Sequence, residues 1–206
     1  MSSAAALPIR PFSPPSTSAT GVDATIEILG ILGRLKDIPR TGWVERGVRQ
    51  PESVADHMYR MTLMCMMCPD PSLDKVKMAM IAVCHDVAEA LVGDISPAMN
   101  VAKEEKYRLE KEAILLIENI LGKSTSPDAG AFIRDNWLAY ESQATPEARF
   151  VRDMDLLEMI MQAHTYEKTE SHLDKGRLDS FFASAAKLTH PWSKEIAARL
   201  IETRPT

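Results

Sequence analysis

MAMIAVCHDVAEALVGD, residues 78–94, is the stretch from which the fold of this chain is read. Wound as a helix, it places Ala79, Met80, Val83, Cys84, Val87 and Leu91 on one apolar stripe. Met78, Ile81, Ala82, Ala88 and Val92 cover most of the remaining surface. The pattern predicts one long helix, buried all round and stopped at Gly93. Yet it carries His85, Asp86 and Glu89. An isolated charge in an apolar interior costs several kcal/mol at least, and the usual remedies are pairing or metal coordination. A divalent metal ion is the simplest shared partner for all three.

The flanking sequence is helical too. Ile26, Leu29, Leu32 and Leu35, with Ile28 and Ile31, predict a first helix stopped near Pro39. Residues 40–50 (RTGWVERGVRQ) read as a loop, with Gly42 and Gly47 as breakers. Pro51-Glu52-Ser53 opens a second helix whose inner stripe is Val54, Met58, Met61 and Cys65. Asp70, Pro71 and Ser72 end it and start the long buried helix. A charged helix follows from Lys103, then one with Phe132, Trp137 and Tyr140, then a long one from Pro146 to about Glu170. Short helices are expected around residues 178–188 and 193–203. No alternating strand pattern and no long repeat appears, so the fold class is all-α.

Composition narrows the function. A chain of 206 residues can bury a core as one domain, here residues 22–206. A formal charge of −5 argues against nucleic acid as a main partner. No apolar run approaches the roughly 20 residues that span a bilayer, so no membrane is expected. The three cysteines, Cys65, Cys68 and Cys84, fall in apolar helical stretches and read as reduced core thiols of a cytoplasmic protein. Residues 1–21, rich in Ser, Pro and Ala with Arg10 as their one charge, read as a disordered tail. Their lack of acidic residues also resembles part of an organelle transit peptide, the alternative for localisation.

Two further residues join the buried charges. His57, three residues after Val54 and four before Met61, points toward the core. Asp155 shares a face with Val151, Met154 and Glu158, whereas Asp153 points elsewhere. His57, His85, Asp86 and Asp155 would thus form a mixed nitrogen–oxygen site from three helices, suited to ions such as Mn, Co or Mg. Glu89 lies at i+4 from His85 and i+3 from Asp86, placed to reach a water or a second ion there.

These residues carry a family resemblance. His57, the pair His85-Asp86 and the distant Asp155 resemble the HD-domain metal-dependent phosphohydrolases. More closely, RTGWVERGV (40–48), PESVADHMYRM (51–61), HDVAEALVGDI (85–95) and KEEK (103–106) resemble the HD-domain 5′-deoxynucleotidases, over roughly residues 25–190. The resemblance implies a helical HD-domain bundle that removes phosphate from deoxyribonucleoside 5′-monophosphates. It makes His57, His85, Asp86 and Asp155 the metal ligands and Glu89 the residue that orients or deprotonates the attacking water. Asp94 becomes an active-site carboxylate. Glu89 and Asp94 would also hold any second ion, with the backbone of Ile95 nearby. Arg40 and Trp43 become the pair that touches the nucleotide and disfavours a ribose 2′-OH. Some bacterial members have these two residues adjacent, whereas this chain reads R-T-G-W. Relatives in the group are commonly homodimers. Lys103 and Lys106 could steer phosphate. Two rivals stay open: an HD phosphohydrolase acting on a cyclic nucleotide, a triphosphate or an alarmone, and a metal-stabilised helical binding protein without turnover.

Overall fold

The computed structural model describes residues 18–174 and 176–205, so the tail expectation for residues 1–17 lies outside the described residues. Ten α-helices and three short 3₁₀ turns make up the described chain, and its only β-pairing is two isolated bridges. Helix α1 (Gly21–Gly33) buries Ala24, Ile28 and Ile31, with Leu35 following in a 3₁₀ turn. Ile26 and Leu29, expected on the inner stripe, face outward at 63 % and 62 % exposure. The run is apolar on several faces, so periodicity could not choose between them; packing against α6 does.

Residues 41–46 correct the loop expectation, because Thr41–Arg46 is a helix, α2. Its start is capped from a distance: the Asp94 carboxylate accepts the Thr41 N–H at 2.6 Å, and the Thr41 hydroxyl donates to the Asp94 carbonyl. No local pattern signals such a cap. Of the two glycines read as breakers only Gly47 ends the helix, at φ 83°. Gly42 sits inside it, with the Phe181 ring where a larger side chain would go.

Helix α3 (Val54–Met66) begins at a capping box formed by Ser53 and Asp56. It buries Val54, Met58, Met61 and Cys65 as expected, and His57 with them. The long helix foreseen from about residue 72 to Gly93 is instead broken. Asp74 caps α4 (Lys75–Cys84), residues 85–88 form turns, and α5 (Glu89–Val92) closes at Gly93. Through the break the N–H groups of Val87, Glu89, Ala90 and Leu91 bond three residues back rather than four. Such bonding tightens the coil toward three residues per turn. Nor is α4 buried all round, since Val76 and Val83 are 70 % and 43 % exposed.

The second half comprises α6 (Lys103–Gly122), α7 (Asp128–Ser142), α8 (Pro146–Thr169), α9 (Asp179–Phe182) and α10 (Pro191–Glu202). Two buried apolar clusters fill the interior. One joins α1 and α6 to Val54, Met58, Val87, Ala88 and Trp137. The other gathers around α8 and includes Trp43, Met61, Cys65, Met78 and Ile81. His57 lies on α3 between Val54 of the first cluster and Met61 of the second. Its polar surroundings therefore occupy the seam of the core. The three cysteines are free and buried. No helix among the described residues is long and apolar enough to cross a membrane.

Candidate metal and active site

Three elements deliver the polar groups: α3 brings His57, the turn after α4 brings His85 and Asp86, and α8 brings Asp155. His57, His85 and Asp155 each offer a ligand atom within 4.8 Å of the others. His57 Nε2 lies 3.4 Å from Asp155 Oδ1. Asp86 approaches the same rings, with Oδ2 at 3.0 Å from His85 Nε2 and 3.8 Å from His57 Nε2.

The outer atoms of these groups are fixed by protein. His57 Nδ1 is 2.5 Å from Glu158 Oε2, and His85 Nδ1 is 2.7 Å from the Ala82 carbonyl oxygen. Neither partner can donate, so in the neutral rings both protons sit on Nδ1 and both Nε2 lone pairs are free. Asp155 Oδ2 accepts from the Tyr140 hydroxyl at 2.5 Å and from Arg152 at 2.8 Å, which leaves Oδ1 turned to His57. Both Nε2 atoms and Glu89 Oε2 are buried and make no hydrogen bond of acceptable geometry. Buried polar atoms of this kind call for a specific explanation. Two imidazole nitrogens facing carboxylates fit a divalent ion of the Mn, Co, Zn or Mg kind.

Charge is concentrated here. Burial opposes ionisation of Asp86, but His85, Arg40 and His57 hold its carboxyl below the usual range. Asp155 is also held well below it, with His57, His85 and Arg152 outweighing burial. Burial and the charge of Arg40 disfavour a proton on His57; Glu158 and Asp155 overcome them and raise it to about 9. Glu89 behaves oppositely: burial, then Asp86 and Asp94, push it well above a normal carboxyl. Arg40 is the central cation, with Nη1 3.4 Å from Asp86 and Nη2 3.9 Å from Asp155. Burial works against its charge and is outweighed by Asp94, Asp86, Asp155 and Glu89, so the guanidinium stays protonated. Lys106 Nζ reaches the Ile95 carbonyl and Glu110, each at 3.4 Å.

Two residues taken from the resemblance also serve the fold. Trp43 is only 2 % exposed and packs against Tyr166 and Phe181, at ring separations of 5.3 Å and 4.3 Å. Its indole N–H donates to Glu52 at 2.9 Å. In this structure its ring is part of the core. The indole is the largest apolar group in a short helix and the core takes it. Asp94 does lie near Glu89 and Arg40, while its carboxylate also caps α2.

Sequence reasoning gave no role to Glu158, Tyr140 or Arg152, the groups that hold the candidate ligands from behind. Glu158 had one visible signal, its position three residues after Asp155 on an inward face. Asp153, read as pointing elsewhere, is buried and accepts from the N–H groups of Thr189 and His190 and the hydroxyl of Ser193, fastening α8 to the start of α10.

The fold is that of a helical HD-domain protein. The HD domain family model matches residues 32–197, and the chain belongs to that family. It is 45 % identical over 171 residues to 5′-deoxynucleotidase HDDC2 of Danio rerio, covering 82 % of each chain. It is 42 % identical over 190 residues to the Homo sapiens protein of that name, covering 92 % of this chain and 90 % of the relative. A solved structure titled as a conserved hypothetical protein from Pyrococcus furiosus superposes with a TM-score of 0.67 at 29 % identity. That match covers 86 % of this chain and 99 % of the other.

Proposed function

We propose that this protein is a metal-dependent 5′-deoxynucleotidase, hydrolysing deoxyribonucleoside 5′-monophosphates to deoxyribonucleoside and phosphate. The observation that carries the reading is the meeting of two imidazole Nε2 atoms with Asp155, neither nitrogen in a hydrogen bond, beside the buried Glu89 Oε2 that also makes none. The names of the relatives supply the substrate class. His57, His85, Asp86 and Asp155 would hold the ion, of which Mn, Co and Mg are the candidates. When bound, a divalent ion activates water and neutralises phosphoryl charge.

The chain's own residues would do the rest. Glu89, whose proton affinity is raised by burial and by Asp86 and Asp94, would act as the general base. It accepts a proton from the attacking water as the oxygen–phosphorus bond forms. The phosphorus–O5′ bond breaks, and Glu89 returns the proton to the leaving O5′. Arg40 and Lys106 are the cations beside the carboxylates and would bind the phosphate oxygens. Asp94, through Thr41, fixes the helix that follows Arg40. A second ion would use Glu89, Asp94 and the Ile95 carbonyl.

The reading extends to a homodimer. Tyr59, Leu63 and Met66 of α3, with Met67 at its end, leave an apolar face exposed, at 69 %, 40 %, 49 % and 67 %, and a second copy is its proposed cover. Light scattering on the purified protein should give twice the chain mass, and a monomer at micromolar concentration would remove this element. Buried reduced thiols suit the cytoplasm, the proposed compartment.

Phosphate release from a panel of 5′-dNMPs, 5′-NMPs, 3′-dNMPs and dNTPs tests the substrate. Metal-restored release from 5′-dNMPs above all others is expected. Turnover of triphosphates or cyclic nucleotides instead would keep the site and discard the substrate.

A further inference from the structure

We infer that Glu158 is a positioning residue for His57, and that its ion pair with Arg60 sets the affinity of the site for its metal. The inference rests on the metal reading above and adds to it a residue that never touches the ion. Glu158 and His57 are both fully buried. Glu158 Oε2 meets His57 Nδ1 at 2.5 Å, while its other oxygen is bound by Arg60 Nη2. That same nitrogen lies 2.6 Å from Gln162 Oε1 and 3.4 Å from Glu52 Oε2.

Glu52, His57 and Glu158 also form a group compact enough to hold a metal of their own. Arg60 argues against that use, because its guanidinium already stands among the three acceptor oxygens as their cation. The carboxylate is thus committed on both sides, to Arg60 and to the imidazole. A carboxylate cannot donate, so it keeps the proton of a neutral His57 on Nδ1 and leaves Nε2 as a ligand atom. It also holds the ring plane and adds electron density to the donor nitrogen. Outer partners of this kind typically alter metal affinity by about 10–100-fold. Glu52 extends the chain, since it accepts from the Trp43 indole. The residue behind His57 is thereby tied to the helix that follows Arg40.

The test is a double-mutant cycle on Mn affinity, measured by chelator competition for wild type, Glu158→Ala, His57→Ala and the double variant, with Tm recorded for each. Glu158→Ala should weaken Mn binding about 10–100-fold in the wild-type background and have no further effect once His57 is gone. Glu158→Gln, which keeps an acceptor oxygen, should retain more affinity than Glu158→Ala. It also serves as the second variant if Glu158→Ala, which strands the buried donors of His57 and Arg60, fails to fold. An equal loss in both backgrounds would make Glu158 merely structural and overturn the inference, as would unchanged affinity in both Glu158 variants. Wild-type protein that binds no Mn would instead sink the metal reading itself, a different result from wild type and Glu158→Ala binding equally well.

Discussion

Removing the carboxylate of Glu89 separates a catalytic site from a structural one. A structural site closes its ligand shell, whereas a catalytic one keeps room for water beside a base. Glu89→Ala should lower kcat by at least ~10²-fold, the contribution expected of a positioned base. Metal content and circular dichroism should stay near wild type, because His57, His85 and Asp155 remain. Loss of metal in this variant would assign Glu89 to holding an ion, and unchanged turnover would remove it from the mechanism. The candidate ligands were legible because charges in an apolar run are conspicuous. The groups behind them were not. Tyr140 looked like any core aromatic, and its bond to Asp155 joins residues on different helices. The depth of Trp43 was hidden for a related reason: the motif that draws attention to it says nothing of how far inside it lies.

At the scale of elements, the break between α4 and α5 is the feature that periodicity concealed. Every residue from Met78 to Leu91 apart from His85, Asp86 and Glu89 is apolar, so no glycine or proline marks the turn. Helix α2 was hidden by the opposite effect, because its glycines suggested a loop and its cap comes from Asp94, far along the chain. A distant carboxylate acts again ahead of α10, where Asp153 serves Thr189, His190 and Ser193 at once. Asp153→Ala would strand those donors, each worth about 1–3 kcal/mol when left buried and unpaired. Urea unfolding should therefore show a loss of ~3 kcal/mol, while Mn affinity stays within twofold of wild type. A large change in affinity would mean that Asp153 belongs to the site after all.

For the whole molecule, two apolar clusters with a charged seam between them give thiols and metal distinct environments. Burial pushes the Cys65 thiol up to about 12, with Cys68 adding to it, and the Cys84 thiol up to about 11. At pH 8 both remain protonated in the folded state. They should resist a disulfide reagent until denaturant is added, when all three cysteines should react. Rapid reaction of the native protein would contradict the core described here. An ion bound only by the native fold must also stabilise it, by about 2.7 kcal/mol at a hundredfold excess over its Kd. Removal with a chelator should accordingly lower Tm, and addition of Mn should restore it.

The central claim is that hydrolysis depends on an ion held by His57, His85, Asp86 and Asp155. The most direct measurement is to titrate Mn into chelator-stripped protein, following bound metal and phosphate release from a 5′-dNMP on the same samples, for wild type and Asp155→Ala. The account predicts that the wild-type rate rises with bound metal and levels off as the site fills, while Asp155→Ala lags in both. Release of phosphate from stripped protein, or full metal occupancy and wild-type turnover in Asp155→Ala, would contradict it.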